Sequence, residues 1–158
     1  MATQTATWNY RDEFPSFART YFRRFADCVV SSIGLGTYLG DSTDAVDEDY
    51  HDAIVRAVDH GINVIDTAIN YRHQRSERSV GRAIRDADTD RESVHVATKG
   101  GFVPFDTTRP DDPGAYIKRE YVDPGVLKPD SLVRGVHSIA PAFIDDQLDR
   151  SLVNLSLE

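Results

Sequence analysis

Gly61-Ile62-Asn63-Val64-Ile65-Asp66-Thr67-Ala68-Ile69-Asn70-Tyr71 is followed by Arg75-Ser76-Glu77-Arg78-Ser79-Val80-Gly81 and, one strand later, by Val96-Ala97-Thr98-Lys99-Gly100. The β-branched run over 63–68 reads as a strand, and Ser76 reads as the N-cap of a helix that turns Val80, Ala83, Ile84 and Ala87 inward. Residues 93–98 supply the next strand. Upstream, Asp47, Glu48 and Asp49 suit the positive end of a helix dipole, and Tyr50, Ala53, Ile54, Ala57 and Val58 form an apolar stripe that ends at Gly61. Before that, 19–26 and 28–36 read as strand, turn, strand, with Arg19, Arg23 and Arg24 on a solvated hairpin face, behind a polar lead over 1–18. Downstream, 102–137 shows little periodicity and holds five of the seven prolines, as a functional lid or a loosely ordered stretch does. Pro141 then starts a helix predicted to line one face with Ile144, Leu148, Leu152 and Leu155. Strands and helices alternate with short links, which calls for a parallel sheet.

Three reactive groups converge in this pattern. Asp66 and Lys99 fall at the C-terminal ends of successive strands, which in a parallel sheet run ~4.8 Å apart, within reach of an ion pair. Tyr71 follows in the loop above. A phenol is a sluggish acid near neutrality, with a reference pKa of ~10, and a neighbouring ammonium makes it a better one. Singly, Asp66 reads as a helix-entry cap, Lys99 as a surface charge and Tyr71 as a half-buried loop aromatic. Together they read as a tuned proton donor, the group that a carbonyl reduction requires.

Composition narrows the field. The chain has 158 residues, 40% of them hydrophobic, which suits one domain, and a net charge of −8 that repels phosphate backbones and anionic lipid. No nucleic-acid or membrane partner is expected. Without a basic-then-apolar leader or an apolar stretch near the ~20 residues of a membrane span, a cytoplasmic location is expected. Cys28, the single cysteine, reads as a small buried hydrophobe in a reducing compartment. The 20 Asp against 6 Glu and 15 Arg against 3 Lys resemble the usage of salt-loving organisms, whose cytoplasm screens an acidic surface.

Other motifs fail. In Gly34-Leu35-Gly36-Thr37-Tyr38-Leu39-Gly40 the third glycine comes one residue late for a dinucleotide fingerprint, and no acidic residue follows at the usual remove. Asp86, Asp88 and Asp90 have calcium-loop spacing, but Arg91 stands at the glycine position and Ala97 at the bidentate Glu position. Asn154-Leu155-Ser156 is a glycosylation sequon only in a secreted chain. The five histidines, His51, His60, His73, His95 and His137, lack ligand spacing, and no metal site is expected.

Asp at a strand end, Tyr five residues on, a Ser-Glu-x-x-x-Gly helix start and Lys ending the next strand together resemble the aldo-keto reductases. Ile33-Gly34-Leu35-Gly36-Thr37-Tyr38 looks like that family's first barrel strand, and Gln147-Leu148-Asp149-Arg150-Ser151-Leu152-Val153-Asn154-Leu155 like the helix before its fourth. The resemblance implies an α/β fold, a partial (β/α)8 TIM barrel: about three βα units and the following helix over 19–158, preceded by an N-terminal β-hairpin. It implies an NADPH- or NADH-dependent reductase of a small carbonyl compound, with Asp66, Tyr71 and Lys99 catalytic and Gly36, Thr37, Tyr38 and Asp66 at the nicotinamide. Such barrels need ~250 residues. The family's catalytic histidine, on the fourth strand, and most of its cofactor contacts would lie beyond Glu158. Among present histidines, His95 would sit ~13 Å below Lys99 as an interior filler. His73, beside Tyr71, is the substrate-lining alternative to a solvated ring. A C-terminal half-barrel chain, or self-association through open sheet edges, would complete the sheet. The other reading is a non-catalytic remnant, or half of a split protein acting as an assembly module.

Overall fold

The computed structural model describes residues 1–157. A hairpin of β1 (Phe22–Phe25) and β2 (Cys28–Ser31) precedes a three-stranded parallel sheet of β3 (Leu35–Gly36), β4 (Val64–Asp66) and β5 (His95–Ala97), in the order β3-β4-β5. The apolar run over 28–36 is therefore broken at 32–34: its first half pairs back on the hairpin and its second half enters the parallel sheet. Register aligns Gly36, Asp66 and Ala97 across the sheet, so the three strands end level.

Two helices cover one face. Helix α2 (Asp44–Asp59) starts where Thr43 accepts a hydrogen bond from the Val46 N–H, and α3 (Arg75–Asp86) packs beside it. Ile54, Val58, Ile65, Val80, Ala83, Ile84, Val94 and Leu155 form the core between these helices and the sheet. Because side chains alternate along a strand, burying Ile65 under the helices turns Val64 and Asp66 to the opposite face. Ala97 on that face is exposed, while Ala68, beyond the strand end, is buried.

The first eighteen residues are not merely a polar lead. Residues 4–12 form α1 (Gln4–Asp12), capped by Thr3 and burying Ala6, Thr7 and Tyr10. The Tyr10 hydroxyl donates to the Val58 carbonyl, and the Thr7 hydroxyl accepts from the Val29 N–H. These buried polar contacts give an otherwise hydrophilic sequence a docking face. Ser76 is likewise not an N-cap: Gln74 holds that position, and buried Ser76 donates to the Thr37 carbonyl.

The proline-rich segment has a core of its own. Asp112 caps the short α4 (Pro113–Ile117), and buried Tyr121 donates to the Pro104 carbonyl within a cluster of Val103, Tyr121, Leu127 and Phe143. Both ends of the excursion are stitched together, Val103 N–H to Val136 carbonyl and Ser138 N–H to Gly101 carbonyl. The last helix, α5 (Pro141–Leu155), buries Phe143, Gln147, Ser151, Asn154 and Leu155, leaving Leu148 and Leu152 exposed. No helix among the described residues is long and apolar enough to cross a membrane.

Candidate active site

The level strand ends bring Asp66, Lys99 and Tyr71 together. Lys99 Nζ donates to Asp66 Oδ2 at 2.8 Å, to the Thr67 carbonyl at 2.8 Å and to the Tyr71 hydroxyl at 3.3 Å. Three ammonium protons meet three oxygens. Both ion-pair side chains are about half exposed, so the pair contributes aim and polarity more than stability. Partial burial alone would lower the Lys99 pKa, but the hydrogen bonds to Asp66 and Tyr71 outweigh it and hold the ammonium above its ordinary range.

This arrangement leaves the Tyr71 hydroxyl accepting from Lys99 and donating to no described residue. Its proton is available to a molecule in the adjoining cavity of about 440 Å³, lined by Tyr38, Asn70, Tyr71, Lys99, Phe102 and His137. The Tyr38 ring meets that of Tyr71 edge-on, with centroids 5.0 Å apart, and fixes one side of the phenol.

The expected nicotinamide-end residues differ in what they present. A side chain added at Gly36 would meet nothing within 4 Å, so the backbone there opens directly onto free space. Tyr38 is largely exposed at the cavity mouth. Thr37 is fully buried, and its hydroxyl donates to the Asp66 carbonyl, so its side chain ties β3 to β4. Asp66, in register with Gly36 across the sheet, is half exposed.

Of the histidines, His137 lines the cavity and His73 is absent from its lining: the His73 ring packs on Phe105, and burial, together with nearby Arg109, lowers its pKa. His95 lies at the opposite end of the sheet against Phe25, beside a second cavity of about 470 Å³, with Nε2 buried and unpartnered. No three of the described His, Cys, Asp and Glu residues are grouped to hold a metal ion.

Several supporting residues were not foreseen. Gln147 accepts from the Gly101 N–H and donates to the Phe102 carbonyl, fixing the turn after Lys99. Buried Glu77 accepts from the Thr98 hydroxyl and from Asn154 Nδ2, joining α3 and α5 to the end of β5. The available signals were Gln147 in the middle of α5 and Glu77 in the Ser-Glu start of α3.

The chain belongs to the aldo/keto reductase family, whose model matches residues 32–158. Among curated relatives, 2,5-diketo-D-gluconic acid reductase B of a Corynebacterium species is 43% identical over 68 residues, 42% of this chain and 21% of the relative. Glycerol 2-dehydrogenase (NADP(+)) of Saccharomyces cerevisiae is 39% identical over 70 residues, 44% of this chain and 20% of the relative. The solved glycerol dehydrogenase of Gluconobacter oxydans superposes with a TM-score of 0.58 at 27% identity, covering 89% of this chain and 37% of that one. An aldo-keto reductase from Klebsiella pneumoniae solved with NADPH shares the fold, with a TM-score of 0.52 at 24% identity over 89% of this chain and 36% of that one. The chain thus spans about a fifth of the matched curated relatives and just over a third of these structures.

Proposed function

We propose that the chain is the N-terminal part of a (β/α)8 barrel and supplies the proton-transfer machinery of an NADP(H)-dependent reductase. The observation that carries this reading is the Lys99 ammonium, shared among Asp66, Thr67 and Tyr71 so that the phenol proton faces a cavity. Gly36, Tyr38 and Asp66, with the Thr37 backbone, would hold the nicotinamide end, most other cofactor contacts coming from later strands. When bound, the cofactor supplies the hydride that the carbonyl carbon accepts. Tyr71 gives its proton to the carbonyl oxygen, Lys99 stabilises the phenolate left behind, and Asp66 holds Lys99 in place. The substrate is a small polar carbonyl compound, a reading supported by relatives named for a diketo sugar acid and for glycerol. The proposed setting is cytoplasmic.

In the complete barrel, Tyr71→Phe should lower kcat for glyceraldehyde reduction by ~10²-fold or more with little change in NADPH affinity, since it removes the proton donor alone. Equal losses in both would count against the role. The second reading, an assembly module completed by a separate half-barrel or by another copy, is favoured by one observation: Ile139, Leu148 and Val153 on α5 and its approach are exposed in a chain whose described parallel sheet ends at β5.

A further inference from the structure

Tyr71 is followed by three consecutive non-glycine residues in the left-handed region: Arg72 (φ 47°), His73 (φ 58°) and Gln74 (φ 71°). L-residues enter that region singly, and a run of three persists only where the surroundings dictate it. The run reverses the chain between the catalytic tyrosine and α3. A relaxed backbone would swing Tyr71 off Lys99.

The first residue of the run is the most firmly held. The Arg72 side chain is only 1% exposed. Its Nε donates to the Asp41 carbonyl at 3.0 Å, and its Nη2 donates to the Thr43 carbonyl at 3.2 Å and to Asp47 Oδ1 at 2.6 Å. The guanidinium also lies 5.2 Å from the Tyr50 ring centroid. All these partners belong to the start of α2 or the turn before it, a turn that also carries Tyr38. One buried side chain thus anchors both the backbone next to Tyr71 and the loop whose Tyr38 packs against the Tyr71 ring. The other two residues are held from the opposite side, where the His73 carbonyl accepts from the Thr107 N–H and Gln74 Nε2 donates to the Phe105 carbonyl.

We propose that Arg72 is the positioning residue of this site, its buried fork on Asp41, Thr43 and Asp47 holding the left-handed turn that sets the Tyr71 hydroxyl against Lys99. The catalytic consequence rests on the reading of Tyr71 as proton donor; the geometric claim does not. Lysine cannot substitute fully, because a single ammonium cannot reproduce the planar fork.

The test separates the two. In the chain as it occurs, at neutral pH, the nuclear Overhauser contact between the Tyr71 ring and the Lys99 side-chain methylenes is measured in wild type, Arg72→Met, Arg72→Lys and Arg82→Met. Arg82→Met breaks a different ion pair between α2 and α3, that with Glu48, and serves as the control for general loosening. The contact should vanish in Arg72→Met, weaken in Arg72→Lys and persist in Arg82→Met. If Arg72→Met does not fold, Arg72→Lys decides. A full-strength contact in either folded Arg72 variant, or equal loss in Arg82→Met, overturns the proposal. In the complete barrel, Arg72→Lys should lower kcat toward the ~10²-fold that a misplacement of about 1 Å costs, a larger change than in NADPH KM. A wild-type barrel that reduces no carbonyl would defeat the functional reading and leave the geometric result standing.

Discussion

Lys99 couples two neighbours with different jobs, and removing it should separate them. Lys99→Met in the complete barrel leaves the Tyr71 hydroxyl without the ammonium that donates to it. Turnover should fall by ~10²-fold or more. Unchanged turnover would break the coupling. Asp66, Tyr71 and Lys99 were legible in the sequence because strand ends are easy to place and parallel register brings successive ends level. Arg72 and His137 were not. Arg72 lies in a left-handed turn that no propensity suggests for Arg-His-Gln, and His137 reaches the cavity because the excursion over 102–137 closes on itself.

Helix α5 shows how an apolar pattern misleads when the neighbouring surface is polar. Ile144, Leu148, Leu152 and Leu155 fit a helical stripe, yet the face turned inward carries Phe143, Gln147, Ser151 and Asn154. What it meets is the turn after Lys99, whose N–H and carbonyl groups need partners, and the Gln74, Glu77 and Arg78 side chains of the α3 start. The two helices touch at Gly81, where an added Cβ would lie 2.7 Å from the Asn154 carbonyl oxygen and 2.8 Å from a Leu155 backbone atom. Backbone cannot step aside as a flexible side chain can. Gly81→Ala should therefore cost about 1–3 kcal/mol despite the better helix propensity of alanine, read as a lower urea midpoint. A variant as stable as wild type would mean that the helices separate freely. Helices α2 and α3 and the three parallel strands were legible because their burial follows regular periods. α1 was hidden, since its few inward groups are Ala6, Thr7 and Tyr10 in a polar stretch.

The sheet is covered on one face by α2 and α3, and its other face carries two predictions about the whole molecule. His95 points to that face near the hairpin, where burial lowers its pKa below the ordinary 6.5 even though the Val29 carbonyl, as an acceptor for the ring N–H, opposes the shift. The unfolded chain therefore binds the proton first as pH falls. Stability should be full above about pH 6.5 and decline as pH drops through the folded-state value, and His95→Gln should flatten that decline in urea titrations. An equal slope in both proteins would locate the response elsewhere. The same face leaves Ala97 exposed, and the parallel sheet ends at β3 on one side and β5 on the other with no described strand beyond either. On α5 and its approach, Ile139 is 79% exposed, Val153 67% and Leu148 53%. Unpaired strand edges and exposed apolar side chains favour pairing with another chain. Light scattering should therefore find the purified chain in species larger than its 17.7 kDa monomer. Leu148→Glu with Val153→Glu should shift the distribution toward monomer without disturbing the buried face of α5. Addition of a half-barrel carrying the later strands should compete with self-association and, if the proton-transfer reading holds, produce NADPH binding that is not expected of the chain alone. A stable monomer that binds NADPH tightly without that addition would show that the three strands need no further wall, and would overturn the half-barrel reading.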